Sequence, residues 1–226
     1  MGNMECIRRL TLFRGFNDRQ FEEMLKCAEK KVYAKNQVLF FEGDPAEEIF
    51  VLKMGAVKLS RLSSDGKELI LGFLGPDDIF GEDSAFSGEN YSVTATALKE
   101  TCTLVFTKAN MERIFLRNPS MALKVIESLS KKPTQYTNQV TDMAFRNARG
   151  RLASTLLRLS SEYGKATIDG VSIDLPLTHQ DLASIASLSR PTVTNLLLDL
   201  KKKGLIKTCR RHIVLKDATG LEIWAG

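Results

Sequence analysis

The 226-residue chain has little cysteine, almost no histidine and no long apolar run. Its four cysteines, Cys6, Cys27, Cys102 and Cys209, are scattered without a CxxC pair. That spacing excludes a dense disulfide framework and a cysteine-rich zinc site, and fits reduced cytosolic thiols. The only histidines, His179 and His212, stand in the last third, so no His-ligated metal can sit in the first half. No apolar stretch approaches the ~20 residues of a membrane-spanning helix. Glu5, Arg8 and Arg9 stand where a signal peptide needs an apolar core. Gly2 opens a myristoylation-like start, but Cys6 occupies the place of the required Ser or Thr. A cytoplasmic protein with no membrane partner is expected. A P-loop, a nucleophile elbow and a metal-ligand cluster are all missing, which argues against an enzyme. Glu82 and Asp83 are adjacent carboxylates, but a neighbouring pair on a strand points to opposite faces.

Charge is distributed unevenly. Residues 146–226 hold 13 Lys/Arg against 7 Asp/Glu, a net of +6, whereas residues 1–145 hold 19 against 20, a net of −1. The basic excess, as expected of a surface that meets phosphates, coincides with the most informative segment, residues 178–204. Thr178 and Asp181 have capping-box spacing, followed by Leu182, Ile185 and Ala186 as a short apolar stripe. Ser187-Leu188-Ser189 breaks that helix. Ser189 caps a second, where Pro191 is tolerated because a first-turn N–H has no partner to lose. Val193, Leu196, Leu197 and Leu200 face inward, and Gly204 ends the helix. The outward residues are Arg190, Thr192, Thr194, Asn195, Asp199 and Lys201 to Lys203. Arg bonds both acceptors of a guanine edge and Asn pairs bidentately with adenine, so this is a candidate major-groove reader. Thr178, Gln180, Ser189, Arg190, Thr192, Thr194 and Asn195 are the expected DNA contacts. Two short strands after the helix pair frame Arg210 and Arg211, a β-wing whose tip is placed to touch phosphate.

Residues 5–30 read as two short helical pieces around Gly15. From 31 to 108 short β-type runs are punctuated by Gly43, Gly55, Gly66, Gly75, Gly81 and Gly88, the turn spacing of a small antiparallel roll or barrel. Asp65-Gly66 is a hairpin signal. Beyond Asn118-Pro119 a long helix carries Ala122, Ile126, Leu129, Pro133, Tyr136, Val140 and Met143 at 4-3-4-3 spacing, a seam for pairing with a second helix. Pro133 falls on that seam, and whether the helix kinks there, starts there or was altered there is open. The chain therefore reads as α+β: an N-terminal antiparallel β-roll over 1–118, a dimerisation helix over 119–147 and a winged helix-turn-helix over 148–226. Ile126, Leu129, Pro133, Tyr136, Val140 and Met143 form the expected dimer interface.

A roll, a dimer helix and a winged helix-turn-helix in this order resemble the cAMP receptor protein/FNR family of bacterial transcription regulators. The resemblance rests on residues 38–44 (Val-Leu-Phe-Phe-Glu-Gly-Asp), residues 78–82 (Asp-Ile-Phe-Gly-Glu), the Arg151-Leu152-Ala153 helix and the helix-turn-helix. It implies a homodimer on a pseudo-palindromic double-stranded operator, with half-sites ~34 Å apart, working through RNA polymerase. It also implies a cyclic-nucleotide-type pocket in the roll. Gly81 and Glu82 match the family's ribose-binding pair and Ser92 matches the Ser of its phosphate-binding pair, while Tyr136 and Thr137 are the positions that approach the adenine. Tyr91 stands where that pair has Arg, and no Arg occurs between Arg61 and Arg113. A phosphate without its guanidinium loses a bidentate, charge-assisted contact, so an effector other than cAMP is expected. A cAMP response through a modified phosphate pocket, or a thiol response through Cys27 or Cys102, are the alternatives. The closely spaced cysteines of iron–sulfur oxygen sensors and the haem ligands of carbon-monoxide sensors are both missing, so no cofactor is assigned.

Overall fold

The computed structural model describes residues 7–8, 10–209 and 212–225. They fall into two units, one of residues up to Arg61 with Gly72–Pro133, the other of Leu62–Leu71 with the chain from Thr134 onward.

In the first unit, helix α1 (Asp18–Cys27) starts from a capping box in which the Asn17 side chain accepts from Gln20 N and the Gln20 side chain from Asn17 N, both at 2.9 Å. Eight strands follow: β1 (Glu29–Tyr33), β2 (Val38–Phe40), β3 (Glu48–Met54), β4 (Val57–Leu62), β5 (Glu68–Leu74), β6 (Ile79–Phe80), β7 (Thr94–Ala97) and β8 (Thr101–Thr107), with residues 62–71 at the β4–β5 connection counted in the second unit. They form two four-stranded sheets, β1-β8-β3-β6 and β2-β7-β4-β5. The uninterrupted apolar run of β3 is explained by burial on both faces. Ile49 and Val51 pack outward with α1 residues Phe21 and Met24, whereas Phe50 and Leu52 face the roll interior with Phe40, Phe80 and Tyr91. The turn after β6 leads into a short helix α2 (Glu82–Ser87), and α3 (Lys108–Arg117) begins at the Thr107 cap. Glu82 and Asp83 thus open a helix rather than sit on a strand. Their side chains still diverge, Glu82 buried and Asp83 exposed.

Helix α4 (Pro119–Phe145) includes Pro133 within its span, so the helix does not start there. Its expected seam is largely uncovered: Ile126 is 57% and Val140 63% exposed, Pro133 and Tyr136 are exposed, and Leu129 and Met143 half-buried.

In the second unit, α5 (Ala148–Tyr163) buries Leu152, Leu156 and Leu159, spaced to share one face. The helix pair is α6 (His179–Ala186) and α7 (Arg190–Lys202), followed by the wing strands β11 (Ile206–Cys209) and β12 (His212–Leu215) and a final helix α8 (Ala218–Ala225). The wing belongs to a larger sheet than the sequence reading expected. Strands β9 (Gly164–Thr167) and β10 (Gly170–Ile173) complete the order β11-β12-β10-β9. Asp169-Gly170 was the available signal for that hairpin. Arg210 and Arg211, the expected wing-tip contacts, lie outside the described residues, as does Cys6.

Candidate functional sites: a roll pocket and a DNA-reading helix

In the roll, Gly81 adopts φ +80°, and a Cβ there would come within 3.0 Å of Glu48 O and 3.2 Å of the Tyr91 ring. Glycine is therefore what lets β6 turn into α2 against β3. The turn drives Glu82 into the interior, where it is fully buried. Its Oε1 accepts from Lys132 Nζ of α4 at 2.5 Å, and its Oε2 has no hydrogen-bond partner among the described residues. Burial pushes the Glu82 carboxyl above its ordinary range, with the Lys132 ammonium opposing that rise. Lys132 carries no periodicity signal, and sequence reading missed it.

Tyr91 is buried and its ring stacks on Phe40 at a centroid distance of 3.8 Å. Its hydroxyl donates to Glu48 O at 2.7 Å and accepts from Glu48 N at 3.2 Å. Burial pushes the phenol up to about 12. The single phenolic proton is thus spent on the backbone, and nothing remains to donate to a phosphate. Ser92 is exposed, and its N–H donates to Ser84 Oγ at 3.3 Å. Gly81, Glu82, Tyr91 and Ser92 all belong to the first unit. Tyr136 and Thr137, both exposed, belong to the second.

The helix pair is built as its capping residues require. Thr178 Oγ1 accepts from Asp181 N at 3.1 Å while Asp181 Oδ2 accepts from Thr178 N at 2.9 Å. Ser187 takes a left-handed φ of 51° at the end of α6, and Ser189 Oγ accepts from Thr192 N at 3.2 Å at the start of α7. Val193, Leu197 and Leu200 are buried, which turns Arg190 and Asn195 outward. Most of the expected DNA-contacting side chains already have a partner within the unit. Thr178 bonds Asp181, Gln180 lies 3.4 Å from Ser184 Oγ, and Ser189 and Thr192 share a 2.7 Å bond. Thr194 bonds Arg190 O. Among the described residues, only the Arg190 and Asn195 side chains of that set have no intrachain hydrogen bond, so their donors are available in full. Asp199 departs from the outward reading. Its Oδ2 accepts from Trp224 Nε1 of α8 at 2.7 Å, and that bond holds its carboxyl below the ordinary range.

Gln139 is a further residue the sequence did not single out. Buried on α4, its Nε2 donates to Ile70 O at 2.8 Å and to Ile185 O at 3.1 Å. It thus satisfies one of the carbonyls that the end of α6 leaves without a helical partner. Gln139→Leu is expected to lower stability by about 1–3 kcal/mol by leaving buried acceptors unmet. An unchanged urea midpoint in that variant would refute the role.

A β-roll and a capped helix pair beside a β-wing define a DNA-binding transcription regulator. Residues 30–118 match the cyclic nucleotide-binding domain and residues 150–224 the Crp-like helix-turn-helix domain. The chain is 33% identical over 187 residues to the anaerobic regulatory protein of Bacillus subtilis, covering 82% of this chain and 79% of that protein. It is 31% identical over 214 residues to the global nitrogen regulator of Synechococcus elongatus, covering 94% of each. A CooA mutant from Carboxydothermus hydrogenoformans shares the fold, with a TM-score of 0.80 at 24% identity over 96% of this chain and 95% of that one. The protein belongs to the CRP/FNR family of transcription regulators.

Proposed function

We propose that the protein is a homodimeric, sequence-specific regulator that docks α7 in the major groove and senses, through its roll, a small effector other than cAMP. Residues 1–118 would carry the sensor, 119–147 the dimer helix and 148–226 the DNA-binding part, with RNA polymerase as the downstream partner in the cytoplasm. The observation that carries the effector reading is the state of Tyr91. Tyr91 has spent its hydroxyl on Glu48, and Glu82 is paired with Lys132. A cyclic phosphate would meet no free donor at Tyr91, whereas Glu82 keeps Oε2 open to a ribose hydroxyl, so it is Tyr91 that speaks against cAMP. Calorimetric titration of the purified protein with cAMP tests this: no heat up to millimolar nucleotide is expected, and saturable micromolar binding would overturn it.

A dimer is supported by the uncovered seam of α4, whose Ile126 and Val140 are more than half exposed. Covering the exposed part of each such side chain gains about 1–2 kcal/mol. Val140→Glu is accordingly expected to shift the protein from dimer to monomer in sedimentation, and a dimer of unchanged affinity would rule the seam out. A thiol response has one supporting contact, Cys27 Sγ at 3.2 Å from Arg113 Nη2, whereas Cys102 is buried on β8. If that contact senses oxidants, diamide should alter operator binding by the wild type and leave Cys27→Ser unaffected.

A further inference from the structure

The Thr194 hydroxyl is committed before any DNA arrives. Its proton donates to Arg190 O one turn back at 3.0 Å. The same oxygen lies 2.9 Å from His179 Nδ1, at the start of α6. A hydroxyl has one proton, and assigning it to the Arg190 carbonyl makes His179, as its Nδ1–H tautomer, the donor to Thr194 Oγ1. The result is a relay across the two helices: His179 Nδ1–H to Thr194 Oγ1–H to the Arg190 carbonyl.

The relay bears on what Thr194 offers to DNA. A helical threonine ordinarily divides between two rotamers, because its hydroxyl has a choice of carbonyls one turn back. An external donor that requires the oxygen in one place removes that choice. With its proton on Arg190 O and one lone pair taken by His179, the hydroxyl has no donor left for a base, and the γ-methyl is the apolar group Thr194 can present. At a base edge a threonine methyl makes apolar contact with the 5-methyl of thymine.

We infer that His179 is a positioning residue for base recognition, locking Thr194 so that α7 reads a thymine methyl by apolar contact and not by a hydroxyl hydrogen bond. The inference rests on the docking of α7 in the major groove given under Proposed function. It adds to the DNA-reading set a residue from α6 that sequence reasoning left out, and it changes the chemistry expected of Thr194.

The test uses the full-length protein and an operator selected by the wild type from a randomised duplex library. Each thymine of that operator is replaced in turn by uracil, which removes only the methyl. One position is expected to cost the wild type about fourfold in affinity, the worth of one buried methyl. Thr194→Ser, which keeps the hydroxyl and loses the methyl, should bind the thymine and uracil duplexes alike, while Thr194→Val should still distinguish them. His179→Ala should bring the thymine-to-uracil ratio toward one. His179→Asn, whose amide nitrogen replaces Nδ1–H, should restore it, and His179→Gln, which reaches instead to the Nε2 position, should not. In the Thr194→Val background His179→Ala should leave the ratio unchanged, which separates positioning from a general loss of folding. Full discrimination by His179→Ala or by Thr194→Ser would overturn the inference. So would the lack of any uracil-sensitive thymine in an operator at which Arg190→Ala still relaxes a base preference, and that outcome would leave the base-reading role of α7 standing. A wild-type protein that enriches no sequence would overturn both.

Discussion

A Lys132→Met protein is expected to lose about 3–5 kcal/mol of stability at neutral pH, because the Glu82 carboxylate is then buried without its counter-ion. Glu82 is completely inaccessible, and one of its oxygens already lacks a partner. The loss has a defined pH dependence. Burial holds the folded-state value above the ordinary carboxylate value of 4.5, and removing the ammonium raises it further. Over the interval between those two values the folded protein binds a proton that the unfolded chain does not. Stability relative to wild type therefore rises as the pH falls through the raised value, and the deficit is full above it. Urea denaturation at pH 7.5 and pH 5 measures this, and an equal loss at both would show that Glu82 is not its source. Adding Glu82→Gln to Lys132→Met should return most of the neutral-pH loss, since no buried charge is then left unpaired.

Arg190→Ala is expected to weaken operator binding by about 1–3 kcal/mol and to relax specificity at a single base position. The side chain is exposed at the first turn of α7 and has no intrachain hydrogen bond among the described residues, so its fork is available to a guanine edge. Arg210→Ala or Arg211→Ala should behave differently, weakening binding evenly across sequences and flattening the salt dependence, as loss of a phosphate contact does. Competition binding against single-position operator variants separates the two patterns. Direct base readout by Arg190 is wrong if its loss is even across them.

The parts legible in the sequence are those set by short-range rules. Thr178 with Asp181 and Ser189 with Thr192 satisfy orphan helix N–H groups three residues away, so both helix starts could be placed from spacing alone. The glycines and Asp65-Gly66 marked the roll's turns for the same reason, and the apolar period of α7 told the inner face of Val193, Leu197 and Leu200 from the outer one. Only tertiary structure decided the rest. Lys132 reaches Glu82 across 50 positions of chain, and the Tyr91 hydroxyl meets Glu48 across 43. Trp224 claims Asp199, which in the sequence had read as part of an outward polar face. His179 finds Thr194 only because α6 and α7 cross where they do. Periodicity and capping follow from sterics and hydrogen bonds within a turn or two of backbone. The partner of a buried charge or a hydroxyl depends on which distant segments packing brings within 3 Å, and no local pattern records it.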